Sequence, residues 1–197
     1  MKFSFSLFLF FTVFTYGQIN LTPLAVGEVA PSITGIDQYG RSIKTTELLP
    51  DQKILLIFYR GNWCPHCKKH LATLQDNIEE LSDKNVKVLV VTPEKVEKTK
   101  ETSKNWNTSY SILHDANNEI MEAYHVAFEV NPSNVPNYFE AVSKMVAENN
   151  GADNMVLPVP ATYLIGNDGK IMYVQFDPDY KNRSDFDEIK KYLYIQK

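Results

Sequence analysis

The chain has 197 residues, 44% of them hydrophobic, with 24 acidic side chains against 20 basic ones and a net charge of −4. That size and apolar fraction suit one folded domain with a core of ordinary size, and they exclude a long low-complexity chain. The acidic balance, with no basic patch along the sequence, excludes nucleic acid as an expected partner.

At the N-terminus, Lys2 precedes an apolar stretch, residues 3–14, followed by Thr15-Tyr16-Gly17. A positive charge, a short apolar segment and a small residue form the pattern of a secretory signal over residues 1–17, leaving a single domain over 18–197. The stretch is shorter than the ~20 apolar residues of a membrane span, so the processed protein is not expected to be integral to a membrane. An uncleaved anchor is the alternative. Export would place the chain in the periplasm or outside the cell, where thiols meet an oxidising environment.

Residues 32–37 and 41–44 read as a small hairpin around Gln38-Tyr39-Gly40, and 53–59 as a strand buried on both faces. Leu71, Leu74, Ile78 and Leu81 recur at helical spacing, which predicts one helix over 65–81. A second central strand over 86–91, a polar helix over 93–106, a short strand over 111–113 and a short helix over 119–124 follow. Residues 127–157 are less regular and contain a helix over 138–147, on which Tyr138, Phe139 and Met145 read as ordinary packing or, alternatively, as a substrate groove. Strands at 161–165 and 170–175 are joined by the tight-turn sequence Gly166-Asn167-Asp168-Gly169, and a helix over 185–194 closes the chain. This order predicts a mixed central β-sheet flanked by helices, the thioredoxin-like three-layer α/β sandwich.

The two cysteines lie in Cys64-Pro65-His66-Cys67, between the buried strand and the helix that follows it. The thiolate is the reactive form of cysteine, and a helix N-terminus stabilises it through unpaired N–H groups and the positive end of the macrodipole. Pro65 suits the first helical position because its missing N–H has no partner there. His66 can add a charge or a hydrogen bond. Cys67 lies about one turn further in, where burial should make it ionise less easily. The pair therefore reads as an accessible attacker, Cys64, and a resolver, Cys67, of thiol and disulfide chemistry. An inert disulfide would close too small a loop to stabilise much.

The stretch Phe58-Tyr59-Arg60-Gly61-Asn62-Trp63-Cys64-Pro65-His66-Cys67 resembles the active-site segment of the peroxiredoxin-like AhpC/TSA proteins. Residues 157–165 and 177–183 resemble the family's later strand and the loop beyond its hairpin, so the likeness runs from about Val26 to the C-terminus. The resemblance implies a thiol-dependent antioxidant activity without a cofactor: Cys64 attacks a peroxide, becomes a sulfenic acid and condenses with Cys67, and a thioredoxin-type reductant closes the cycle. Typical members carry Thr or Ser three residues before the attacking cysteine, where this chain has Gly61. Arg60 is a candidate to hold the thiolate or an oxyanion, or else points to solvent or to a structural carboxylate; Arg183 ranks below it. Trp63 either shields the sulfur or fills the edge of the core.

Two other functions stay open. The Cys-Pro-His-Cys sequence is also similar to that of strongly oxidising disulfide oxidoreductases, which act on protein disulfides. In that case Val159-Pro160 should hold a cis peptide bond opposite the cysteines, leaving the Val159 backbone free to pair with an extended substrate. A soft-metal site for copper or zinc, built from Cys64, Cys67 and His70 or His66, is the third reading, although His70 reads more readily as a helix-surface residue and His114-Asp115 as a turn.

Overall fold

The computed structural model describes residues 21–194, and the expected signal over residues 1–17 lies outside the described residues. The hairpin forms as expected: β1 (Thr34–Ile36) and β2 (Ser42–Lys44) are antiparallel, with Gly35 opposite Ile43. Gly40 makes the turn at φ +81°, a conformation that suits glycine. A short helix, α1 (Thr45–Leu48), leads to β3 (Lys53–Phe58). Next come α2 (Pro65–Asp76), α3 (Ile78–Asp83), β4 (Val86–Thr92), α4 (Val96–Trp106), β5 (Ser111–His114) and α5 (Glu119–Ala123). The chain continues through β6 (Ala127–Glu129), α6 (Phe139–Asn150), β7 (Val156–Pro158), β8 (Ala161–Ile165), β9 (Ile171–Phe176) and α7 (Phe186–Leu193).

Among the described residues the main sheet runs β5-β4-β3-β8-β9. Strands β3, β4 and β5 are parallel, whereas β8 and β9 join antiparallel. β3 lies at the centre, and the alternation of a strand divides its side chains between two cores. Leu55, Ile57 and Tyr59 pack with Cys64, Cys67 and Leu71 beneath α2, α3 and α7. Ile54, Leu56 and Phe58 face the other way, against Met121, Tyr124 and Tyr163. The result is the thioredoxin-like three-layer sandwich, a mixed central sheet flanked by helices.

Two details depart from the sequence expectation. The helix expected over 65–81 is broken at Asn77, whose backbone sits at φ −101°, ψ 0° and whose side-chain N–H donates to the Thr73 carbonyl at 2.7 Å. Asparagine competes for the backbone in this way, and the apolar stripe still continues across the break because Leu81 on α3 returns to the same core. The second departure is the β6–β7 ribbon, with Phe128 opposite Leu157. It builds a small third core with Val130, Val146 and Val159, and α6 leans on it through Phe139 and Val142.

α7 begins at Asp185, whose carboxylate accepts from the Asp187 N–H at 2.8 Å. Its apolar residues Phe186 and Ile189 are buried over α2. The face of α2 that meets the sheet carries Cys67, Leu71 and Leu74, so core packing directly sets the height of the cysteines. Leu74→Ala at this fully buried position (0% exposed) should lower stability by about 2–5 kcal/mol, read from the urea midpoint at unchanged slope. A loss of only a few tenths would mean that α2 is not packed as described.

Candidate active site

β3 ends at Phe58, and Tyr59-Arg60-Gly61 carries the chain over the top of the sheet into the cysteine turn. The Cys64 N–H donates to the Gly61 carbonyl at 3.1 Å, and the Cys64 carbonyl accepts the first helical bond from Lys68 at 3.0 Å. Cys64 is the N-cap of α2 at φ −85°, ψ 116°, with Pro65 at the first helical position. Both sulfurs are free thiols. Cys67 is 1% exposed, as expected of a resolver, but Cys64 is only 3% exposed, so it is far more enclosed than an accessible attacker was expected to be. Its opening is the floor of a groove of about 510 Å³.

No fully closed capping bond reaches the Cys64 sulfur. The Cys67 thiol is the largest influence on it: with the Cys67 amide, Arg183 and Arg60 it outweighs burial and lowers the Cys64 pKa to about 6. Cys67 moves oppositely, pushed well above the ordinary thiol value by the Cys64 sulfur and by burial. The pair thus holds one negative charge, placed on Cys64.

Arg60 neither points to solvent nor meets a carboxylate. It is 9% exposed, with its guanidinium 4.8 Å from the Tyr180 ring centroid and 5.3 Å from that of Phe128. Among the described residues its Nε has no hydrogen-bond partner. Arg183, ranked lower from sequence, is the guanidinium that touches the pair: its Nη2 donates to Cys67 Sγ at 3.5 Å. A chain of polar contacts holds its loop, His70 Nε2 to Ser184 Oγ at 3.0 Å and Ser184 Oγ to Thr162 Oγ1 at 3.0 Å. His70 is therefore not a helix-surface residue. It is buried, its ring stacks on Phe186 at 5.1 Å, and burial followed by Arg183 lowers its pKa to about 4, so it is neutral near pH 7.

The remaining expected residues gather at the same place. His66 meets Tyr180 edge to face at 5.5 Å, Trp63 packs between the first and third cores, and Val159 lines the groove beside Cys64. The cis bond expected at Val159-Pro160 is absent, since no peptide among the described residues is cis. The Val159 N–H is not free either, because it donates to the Val126 carbonyl at 2.8 Å, where β6 and β7 come together. The groove wall is Trp63, Phe128, Val135, Tyr138, Val142 and Met145. Tyr138 and Met145 are exposed, at 64% and 44%, so both are groove residues, whereas Phe139 packs in the third core. Among the described residues no group of three His, Cys, Asp or Glu side chains is placed to hold a metal.

Sequence reasoning missed Glu94. This carboxyl is 0% exposed beneath the cysteine turn, where Oε2 accepts from the Tyr59 hydroxyl and Oε1 from the Asn62 N–H, each at 2.9 Å. It also explains Gly61. At φ +150° a Cβ there would lie 2.4 Å from Trp63 Nε1 and 2.8 Å from Glu94 Oε1, so the space for a Thr or Ser side chain is already filled. Gly61→Thr should cost about 1–3 kcal/mol in backbone strain and a further ~1–3 in overpacking, read by urea unfolding with far-UV circular dichroism. Unchanged stability would show that this contact is not closed.

A family model described as the AhpC/TSA family matches residues 26–174. Peroxiredoxin Bcp of Escherichia coli strain K12 is 26% identical over 173 residues, covering 88% of this chain and 97% of that protein. Among solved structures, Peroxidoxin BcpB from Mycobacterium tuberculosis superimposes with a TM-score of 0.64 at 19% identity over 85% of this chain and 95% of the other. The thioredoxin domain of a thiol-disulfide oxidoreductase from Bacteroides vulgatus gives a TM-score of 0.59 at 20% identity, over 86% and 99% of the two chains. These two structural likenesses establish the fold, and the family match covers the cysteine turn and all five strands of the main sheet up to Val174 in β9. The chain belongs to the AhpC/TSA family of peroxiredoxin-type oxidoreductases within the thioredoxin-like superfamily.

Proposed function

We propose that this chain is an exported thiol peroxidase that reduces peroxides through Cys64 and is regenerated through a Cys64–Cys67 disulfide by a thioredoxin-type thiol. The observation that carries the reading is the placement of Cys64 at the start of α2, at the floor of the groove, with its pKa lowered to about 6. A thiolate there attacks one peroxide oxygen; the O–O bond breaks, the sulfur becomes a sulfenic acid, and the other oxygen leaves with a proton as water or alcohol. Arg60 and Arg183 both place positive charge toward Cys64, where they also stabilise the departing oxygen. Cys67 then attacks the sulfenic sulfur. Residues 1–17 as a secretory signal, and so a periplasmic or extracellular location, belong to the same proposal.

Exchange with protein disulfides is the second reading. The apolar groove beside Cys64, much larger than hydrogen peroxide needs, favours it. The occupied Val159 N–H weighs against docking of an extended chain at that strand.

Stopped-flow oxidation of the reduced protein separates the two. Cys64→Ser should lose peroxide consumption by at least ~10²-fold, while Cys67→Ser should still form one sulfenic acid per chain but no intramolecular disulfide. The wild-type oxidation rate should rise with pH through about 6, as the Cys64 thiol loses its proton, and level off above it. Peroxide consumption no faster than that of Cys64→Ser, together with turnover of a model protein disulfide, would transfer the assignment to exchange.

A further inference from the structure

We propose that Arg183 is the catalytic residue of the resolving step: its guanidinium holds the Cys67 sulfur as the anion that closes the disulfide, and Ser184 latches that guanidinium in place. This inference rests on the disulfide cycle proposed above, and it gives Arg183 a task separate from that of Arg60.

The contact is direct. Arg183 Nη2 donates to Cys67 Sγ at 3.5 Å. The other arm of the guanidinium, Nη1, donates to the carbonyls of Tyr180 and Asn182, the latter at 2.7 Å. One side of the fork is thus tied to its own loop and the other is left for sulfur, so the donor is already aimed when charge develops there. The loop is itself braced, since the Asp177 carboxylate accepts from the Asp179 N–H at 2.8 Å and from Asn182 Nδ2 at 2.7 Å. Ser184 comes next and is buried, with its hydroxyl 3.0 Å from both His70 Nε2 and Thr162 Oγ1. His70 stands on α2 three positions beyond Cys67, so this latch ties the guanidinium to the helix that carries its target.

The physical need comes from the burial of Cys67. Its sulfur is 1% exposed, and a thiolate with so little water must be compensated by an opposite charge or by donors. The titratable and charged groups around it are Cys64 at the start of α2, Tyr59 just beyond β3, Arg60 in the turn, Glu94 between β4 and α4, and Arg183. Cys64, Tyr59 and Glu94 can add only negative charge. Of the two cations, Arg60 lays its guanidinium against the Tyr180 and Phe128 rings, and Arg183 is the one whose side chain reaches the sulfur. It favours the Cys67 anion against both burial and the neighbouring Cys64 sulfur.

The step balances as follows. Once peroxide has converted the Cys64 thiolate into a sulfenic acid, that sulfur no longer carries the negative charge that keeps Cys67 protonated, and Arg183 acts on Cys67 alone. The Cys67 sulfur attacks the sulfenic sulfur, the S–S bond forms and the S–O bond breaks. Cys67 sulfur is oxidised and Cys64 sulfur reduced, and the departing hydroxide takes the Cys67 proton and leaves as water. In the reductive half, a thiolate of a dithiol reductant attacks Cys64, and Cys67 departs as a thiolate paired with Arg183. The second thiol of the reductant then displaces Cys64, and its proton passes to Cys67.

The test follows two events separately after one equivalent of hydrogen peroxide: trapping of the Cys64 sulfenic acid, and disulfide formation in quenched samples by mass. Arg183→Gln should slow disulfide formation about 10²-fold, and at least ~10-fold more than it slows sulfenic-acid formation. Arg60→Gln should show the opposite split. Arg183→Lys keeps the charge without the fork, and its rate of disulfide formation should fall between those of wild type and Arg183→Gln. Ser184→Ala should slow disulfide formation about 3- to 10-fold, the worth of one hydrogen bond. In the Arg183→Gln background it should cost nothing further, because it acts through the guanidinium, whereas a merely structural role would add its own loss. Disulfide formation by Arg183→Gln within about twofold of the wild type, or equal slowing of both events, overturns the inference while leaving the disulfide cycle intact. A wild-type protein that accumulates sulfenic acid without forming the disulfide overturns the cycle, and the inference with it.

Discussion

One negative charge shared unequally between two sulfurs organises the site. Cys64 and Cys67 are both almost wholly enclosed, and a buried site of this kind does not hold two thiolates. The Cys67 thiol stabilises the anion on Cys64 and is itself driven to stay protonated. In the proposed cycle, the division of labour between attacker and resolver is therefore a property of the pair. Helix position helps select which sulfur carries the charge: Cys64 stands at the cap, where the Cys67 thiol and amide and the charges of Arg183 and Arg60 favour its anion, and Cys67 lies inside the first turn, on the face that enters the core.

The rest of the fold serves to hold that arrangement still. β3 is buried on both faces and brings Tyr59 and Arg60 to the edge of the turn, while α2 is fixed to the sheet through Leu71 and Leu74. The loop after β9 returns Arg183 to the sulfurs and is fastened through Ser184 to His70 and Thr162, that is, to α2 and β8 together. Gly61 makes room for Glu94 and Trp63 in the space where a side chain would project. The β6–β7 ribbon and α6 add a wall of apolar side chains, which gives the sulfur an enclosed approach and an apolar setting in which the guanidinium charges act more strongly.

The strongest parts of the fold were legible because their patterns are local. Continuous apolar runs marked β3 and β4, the Gly-Asn-Asp-Gly turn marked the β8–β9 hairpin, and a cysteine pair between strand and helix marked the site. The ribbon was not legible: β6 and β7 are three residues each and are separated by α6, so neither carries a period. The break at Asn77 was hidden because α3 continues the apolar spacing of α2. Burial of His70 did have a signal, since it follows Cys67 by three positions on the inward face. Arg183 and Glu94 had none of that kind. Each reaches the site by chain return, from a loop more than a hundred residues beyond Cys67 in one case and from the end of a neighbouring strand in the other, and a lone Glu after Thr-Pro looks like an ordinary helix approach.

The most direct test of the account is a thiolate absorbance titration of the reduced wild-type protein. Two separate ionisations are expected, the first near pH 6 from Cys64 and the second well above the ordinary thiol range from Cys67. Two sulfurs titrating together near the free-cysteine value of ~8.5 would contradict it.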